Sequence, residues 1–335
     1  MSSSQTDKGD RVLLADIGGT NVRLALMERG EIGQIEHLKV AGFSGVSDAI
    51  ASMLSRHAGR PPASAVLGVA GPVENDRCIV TNSRWVIDGP DLQKIFAFGS
   101  VHLLNDFEAL AWSLPALQPS DLFPVGKHQS TIGTPMLVVG PGTGFGAACL
   151  LRRDAAPFAI VTEAGHSTLP ATSEREERVI GHLRRRFGHV SVERALSGSG
   201  LENLYQALAS IDGAAAPNRD PAAITQAALD GSCSISRAVL DMFCSLLGSV
   251  AGDLALTFCA QGGVYIAGGI VPHFVDHLLE SNFRQRFESK GRYESYLRNI
   301  PTGVIVRPDV SFIGLKAFVE RNIAAAGVSA AGRNP

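Results

Sequence analysis

The chain has 335 residues, 45% of them hydrophobic, with 30 Lys+Arg against 32 Asp+Glu and a formal net charge of −2. Near-balanced charge without a basic run excludes a dedicated nucleic-acid or anionic-membrane surface, and the apolar content excludes intrinsic disorder. At roughly 150 residues per domain, the length suggests two domains with cores that need no disulfide or metal staples.

Residues 12–16 (VLLAD) read as a buried strand, IGGTN as a turn, and 22–27 (VRLALM) as a second strand, which is a hairpin pattern. Helical spacing follows at Val46, Ile50, Met53 and Leu54. AVLGVAG (65–71) and VHLLN (101–105) read as strands, and DFEALAWSL as a helix that Pro115 ends. The Pro-, Gly- and Ser-rich stretch 116–135 marks a domain boundary. The first pattern then returns as MLVVG (136–140), PGTGFG and AACLL (147–151), suggesting two domains on one plan. Helices are expected over 174–187, 201–209 and 222–229, the last opened by Asp220-Pro221, and over the apolar run 234–260. VYIA (264–267) and GVIV (303–306) read as strands, Ser311 as the cap of a final helix over 312–323, and the tail beyond it as frayed. Strands alternating with helices make an α/β protein, and the two hairpins make its sheets mixed.

Five cysteines (Cys78, Cys149, Cys233, Cys244, Cys259) without a C-x-x-C spacing read as buried free thiols in a reducing compartment, not as a zinc site. The polar start MSSSQTDKGD has no signal-peptide core. The most apolar long stretch, 246–260, contains Asp253 and falls short of the ~20 residues that span a bilayer. A soluble, cytoplasmic protein is expected.

Several motifs carry chemistry. In Asp16-Ile17-Gly18-Gly19-Thr20-Asn21 the glycines allow a sharp turn and close backbone approach. Its N–H groups and the Thr20 hydroxyl can hold phosphate oxygens, and Asp16 can face Mg²⁺ held by those phosphates, through water. It is no Walker A loop, since no Gly-Lys-Ser/Thr follows. Gly142-Thr143-Gly144-Phe145-Gly146-Ala147 formally fits the dinucleotide fingerprint, but a strand-like segment follows where a helix should open. Paired with the first loop, it could grip the other side of a polyphosphate. Asp106, at a strand end and helix start, is either a helix N-cap or a general base that takes a proton from a substrate hydroxyl, with Asn105 binding a neighbouring hydroxyl. Glu163 and His166 flank an Ala-Gly turn suited to vicinal hydroxyls, and Glu193 adds a polar candidate that could equally be a solvated helix face. Ala267-Gly268-Gly269-Ile270 could let a flat ligand such as adenine lie on backbone.

LLADIGGTNVRLAL, LLNDFEALA, GPGTGFGAA, TEAGH, VERALSGSGLENLY and VYIAGGIVPHF occur in an order and spacing that resembles bacterial glucokinases of the proteobacterial type, within the sugar kinase/Hsp70/actin superfamily. The resemblance runs from about residue 11 to 320. It implies a two-domain, actin-like ATPase (ribonuclease H-like) α/β fold with an interdomain cleft that closes on sugar. The small domain would span 1–115, completed by the C-terminal helix 308–335, and the large one 116–307. It implies transfer of the ATP γ-phosphoryl group to the 6-hydroxyl of glucose with Mg²⁺, in a homodimer without nucleic-acid or membrane partners. Asp106 resembles the catalytic base, and Asn105, Glu163, His166 and Glu193 resemble glucose ligands. Asn82 in TNSRW resembles the sugar-loop position. Residues 16–21 resemble the first phosphate loop, Gly142 to Gly144 the second, and Gly268-Gly269 the adenosine motif. Two departures stand out. Ala164 occupies a position where the family usually has Gly, and the zinc motif of the related ROK kinases and repressors is absent. With no DNA-binding segment before the first strand, a sugar-sensing repressor is not expected. The alternatives are a kinase for fructose, mannose or N-acetylmannosamine, a silent sugar-binding regulator, and an Hsp70-like ATPase.

Overall fold

Strand β1 (Arg11–Ile17) opens the computed structural model, which describes residues 11–126, 135–153, 156–215 and 217–323. The polar N-terminal stretch, residues 127–134 of the boundary segment and the tail beyond 323 lie outside the described residues. The chain divides into two compact units, Met1–Ala116 with Pro308–Pro335, and Leu117–Arg307.

In the first unit β1 is a run of buried apolar residues, as a strand covered on both faces requires. It pairs antiparallel with β2 (Asn21–Glu28), in a register that sets Asp16 opposite Arg23. The short strands β3 (Glu31–Ile32) and β4 (Glu36–Lys39) both add to β2. Helix α1 (Val46–Arg56) buries Val46, Ala49, Ile50 and Met53, one stripe at helical spacing. Strand β5 (Ser64–Val69) lies parallel to β1, and β6 (Arg77–Ile79) pairs with β7 (Val86–Asp88) as a separate ribbon. Asp88 caps α2 (Gly89–Phe96) by accepting from Asp91 N–H at 3.1 Å. Strand β8 (Ser100–Asn105) lies parallel to β5 and runs straight into α3 (Asp106–Ser113). The described sheet has the order β3-β2-β1-β5-β8.

The second unit repeats the plan. Its sheet order is β12-β11-β10-β13-β14-β9, where β9 is Leu122–Pro124, β10 Met136–Pro141, β11 Phe145–Arg153 and β12 Ala156–Thr162. Helices α4 (Glu174–Phe187), α5 (Gly198–Asp212), α6 (Pro221–Leu229) and α7 (Ser234–Thr257) precede β13 (Val264–Ile266). The short helices α8 (Val275–Glu280), α9 (Phe283–Glu288) and α10 (Glu294–Arg298) precede β14 (Thr302–Ile305). Helix α7 is long and apolar enough to cross a membrane by composition, but 78% of its most apolar window is buried inside the protein, so it is a core helix. Its Gly248 and Gly252 give the backbone of α9 room that a methyl group would fill. Helix α11 (Val310–Phe318) then returns to the first unit.

Both sequence-expected hairpins are present, β1-β2 and β10-β11. AACLLRR is strand β11, which disposes of the dinucleotide fingerprint. Three expectations change. Helix α5 begins at Gly198, earlier than Leu201, because the Ser197 hydroxyl accepts from Gly200 N–H at 2.9 Å. Ser311 does not cap the last helix; its hydroxyl is engaged elsewhere. Among the cysteines Cys78, Cys149 and Cys244 are buried, Cys233 is half-buried and Cys259 is exposed, and all are free.

Candidate active site

The parallel strands bring the chemistry of the first unit to one sheet end. Ile17, Val69 and Asn105 follow one another in register across β1, β5 and β8. The residues at and just beyond these positions therefore share the carboxyl end of the sheet, where open α/β sheets hold ligands. Asp16 sits there on β1. Its Oδ2 accepts from Arg23 Nη1 at 2.9 Å and from Ser311 Oγ at 2.6 Å. The first glycine turn closes by Gly18 N–H donating to Asn21 O at 2.9 Å. A Cβ on Gly19 would lie 2.5 Å from Thr81 O and 3.3 Å from Asn82 Cβ, so only glycine fits. That close approach brings Asn82, in the left-handed region at φ +59°, against the first loop. Thr20 and Asn21 are exposed, and Asn21 Oδ1 accepts from Lys39 Nζ at 2.7 Å.

The helix cap is Asn105, and Asp106 takes the first helical position. Asn105 Oδ1 accepts from Phe107 N–H at 2.9 Å, and its Nδ2 donates to Gly71 O at 3.1 Å. Asp106 is thereby released from the capping role that was one sequence alternative. Its Oδ1 accepts from Phe107 N–H at 2.9 Å. Burial, and then the nearby Asp16 charge, push its carboxyl up to about 7, against the opposing pull of that hydrogen bond. Such a group gains and loses a proton near neutrality, as a general base should.

In the second unit Val139 and Ile266 pair across β10 and β13, so Gly142 and Gly268 lie beyond the same sheet end. Gly142 N–H donates to Gly144 O at 2.7 Å, and Gly198 N–H to Gly142 O at 2.9 Å, which ties the loop to the start of α5. Gly268 has φ +93°, and a methyl group there would overlap Pro141 O. Glu193 Oε2 accepts from Phe145 N–H at 3.0 Å and lies where a Gly144 side chain would be. Glu193 thus buttresses the second glycine loop, a role its spacing did not reveal. Glu163 and His166 approach to 3.8 Å, and both side chains are about two-thirds exposed (68% and 67%). Val192 N–H donates to Ser167 O at 2.9 Å, joining their turn to the turn that carries Glu193. Ala164 packs its methyl against the core of this unit, so the departure from Gly is accommodated.

The structure therefore groups Asp16–Asn21, Asn82, Asn105 and Asp106 in the first unit. In the second it groups Gly142–Gly144, Glu163, His166, Glu193, Gly268 and Gly269. Sequence reasoning missed Arg23 and Ser311. The hairpin register could have found Arg23, since it faces Asp16 across β1-β2; Ser311 is separated from its partner by most of the chain and leaves no local signal. No cluster of three or more metal-ligating side chains occurs among the described residues. A single carboxylate whose described bonds all fall on Oδ2 still fits Mg²⁺, which takes one or two carboxylates and fills its shell with phosphate oxygens and water.

We expect Glu193→Ala to leave Phe145 N–H without its partner and loosen the Gly144 turn, at about 1–3 kcal/mol of stability. Thermal unfolding and the KM for ATP check this, the latter rising severalfold.

Two mixed α/β units, each with a hairpin whose glycine turn stands at the carboxyl end of parallel strands, define the actin-like ATPase class to which sugar kinases belong. The family model described as Glucokinase matches residues 13–322. A glucokinase of Paramagnetospirillum magneticum is 42% identical over 311 residues, covering 92% of this chain and 97% of the relative. The crystal structure of a glucokinase from an Antarctic psychrotroph superposes with a TM-score of 0.85 at 35% identity, covering 93% and 99% of the two chains. A ROK family glucokinase from Streptomyces griseus, solved with glucose and AMPPNP, shares the fold at a TM-score of 0.62 and 16% identity over 91% and 98%. The chain belongs to the glucokinase family.

Proposed function

We propose that the chain transfers the γ-phosphoryl group of ATP to the 6-hydroxyl of glucose, giving glucose 6-phosphate and ADP. The observation that carries this reading is Asp106, a carboxylate lifted to about 7 at the carboxyl end of the sheet beside the first glycine loop. In this reading Asp106 orients the 6-hydroxyl toward the γ-phosphorus and accepts its proton. In a loose transition state that proton leaves late, so alignment contributes more than basicity.

The remaining residues bind and orient. Asn82, Asn105, Glu163, His166 and Glu193 offer hydrogen bonds to sugar hydroxyls. Asn105 keeps Oδ1 on the α3 backbone while doing so, and Glu193 keeps Oε2 on Phe145. Backbone N–H groups of Gly18–Asn21 and Gly142–Gly144 receive phosphate oxygens, and Gly268-Gly269 offers flat backbone to the adenosine. Asp16 would hold Mg²⁺ through water. Bound with the triphosphate, Mg²⁺ would offset charge on the phosphate oxygens. Excluding water from the sugar during transfer suppresses plain hydrolysis of ATP. We place this activity in the cytoplasm, at the entry of glucose into glycolysis, and assign a homodimer, which light scattering checks.

The test is ADP release measured with glucose, fructose, mannose and N-acetylmannosamine in turn. Glucose should give the highest kcat/KM, and ADP release without sugar should be slower by orders of magnitude. A higher kcat/KM for another hexose, or sugar-independent hydrolysis, overturns the reading. Glu163→Gln should raise the KM for glucose more than that for ATP; equal rises would remove Glu163 from the sugar site.

A further inference from the structure

The residue at the cap position of α11 and a serine in its first turn both direct their side chains away from the helix's own backbone. Asp309, the residue before the helix, makes no side-chain cap bond. Its carboxylate instead lies 3.5 Å from Arg23 Nε and 3.1 Å from His37 Nε2. Ser311, inside the first turn, gives its hydroxyl to Asp16 Oδ2. Asp309 also holds a left-handed backbone at φ +51°, a conformation that costs a non-glycine residue energy and persists where its surroundings fix it. Local helix chemistry has yielded to something else, and sites where it yields are commonly functional. The common target is the Asp16 carboxylate. Arg23 reaches Asp16 Oδ2 through Nη1 while its Nε faces Asp309, using its planar fork to bridge two carboxylates. Neighbouring strand β4 supplies the outer end of the chain through His37.

We infer that Arg23 and Ser311 are positioning residues that clamp Oδ2 of Asp16, so that Oδ1 is the one oxygen left to face Mg²⁺ and its phosphates, with Asp309 holding Arg23 in place. This deepens the proposed kinase reading and rests on it. An unclamped carboxylate can rotate and offer either oxygen. Two donors on one oxygen remove that freedom before the ligand arrives, which is how neighbouring hydrogen bonds raise the affinity of a metal site. The clamp joins strand β1 to a helix almost three hundred residues later, so the returning C-terminal segment becomes part of the phosphate site.

The test compares binding of ADP with MgCl₂ and ADP with EDTA by titration calorimetry, on the full chain. In the wild-type protein Mg²⁺ should tighten ADP binding. Ser311→Ala and Arg23→Lys should each lose about tenfold of that gain, with Mg-free ADP affinity changed less than twofold. Lysine keeps the charge but cannot bridge both carboxylates, whereas Ser311→Thr retains the hydroxyl and should keep the gain. Variants that hold the wild-type ratio, or that bind ADP more weakly by the same factor with and without Mg²⁺, overturn the clamp and leave these residues a structural role. A larger Mg²⁺ gain in Arg23→Lys overturns it as well, since the arginine would then be repelling the metal. A wild-type protein whose ADP binding ignores Mg²⁺ removes the metal role of Asp16 and the clamp with it. Sugar-dependent ADP release from the same preparation tells that result apart from failure of the kinase reading.

Discussion

Asp106→Asn should lower kcat by about 10²–10⁴-fold and at the same time stabilise the protein at alkaline pH. The asparagine keeps the acceptor for Phe107 N–H but has no proton affinity to offer a hydroxyl. In the wild type, activity should fall as the pH drops below about 7, because the base must be ionised and its carboxyl titrates there. The stability effect has the opposite sense. Unfolded, this carboxyl titrates near 3.8; folded, near 7. Between those values the folded protein holds a proton that the unfolded chain has lost. Stability therefore falls as pH climbs through that window, and the full penalty persists above it. A shift of this size corresponds at most to ~4 kcal/mol, and the side chain remains partly open to water, so about 1–2 kcal/mol is expected. Unfolding at pH 8 should show the variant more stable than wild type, with the gain gone near pH 4. A variant with wild-type turnover would exclude Asp106 as the base. One without the pH-dependent gain would exclude a strained, ionised carboxylate.

Much of this arrangement is legible in the sequence because its signals are local. Glycines between short apolar runs announce both hairpins, and β1-β2 and β10-β11 follow. Strand-to-helix junctions announce Asn105-Asp106, although which of the pair caps the helix depends on the backbone at a single residue, and Asn105 takes that place. The strands β3, β4, β6, β7 and β9 are two to four residues each, too short for a two-residue period; β13 and β14 are as short and show only as the apolar runs VYIA and GVIV. Contacts between distant segments leave no periodicity at all. Ser311 looks like a helix cap from its neighbours, and only the packing of α11 against β1 turns its hydroxyl toward Asp16. Glu193 looks like a solvated position until the Val192–Ser167 hydrogen bond brings its turn beneath Gly144. What escapes the sequence is thus the set of long-range contacts that hold Asp16 and the second glycine loop in place.

Gly314→Ala should be among the most damaging conservative changes in the molecule. Gly314 is buried in α11, where an added methyl would overlap the Ala109 carbonyl oxygen of α3 and come within 3.0 Å of Ser113 N. Both obstacles are backbone, so no side-chain rotation can relieve them and the two helices must part. Overpacking of this kind costs typically about 1–3 kcal/mol, and more where nothing can give. The functional loss should exceed what stability alone explains. Helix α3 begins with Asp106, and α11 begins with the segment that holds Asp16, so separating them moves both carboxylates. A displacement of about 1 Å at a reacting group can cost ~10²-fold in rate. We expect kcat to fall by about that factor in protein that is still folded at the assay temperature, with a lowered Tm. Gly181→Ala is the matched control: Gly181 also lies within a helix, α4, and its methyl would meet nothing within 4 Å. There the better helix former should stabilise by up to about 1 kcal/mol and leave kcat unchanged. Equal behaviour of the two variants would mean that close helix contact at Gly314 is not what sets the two aspartates.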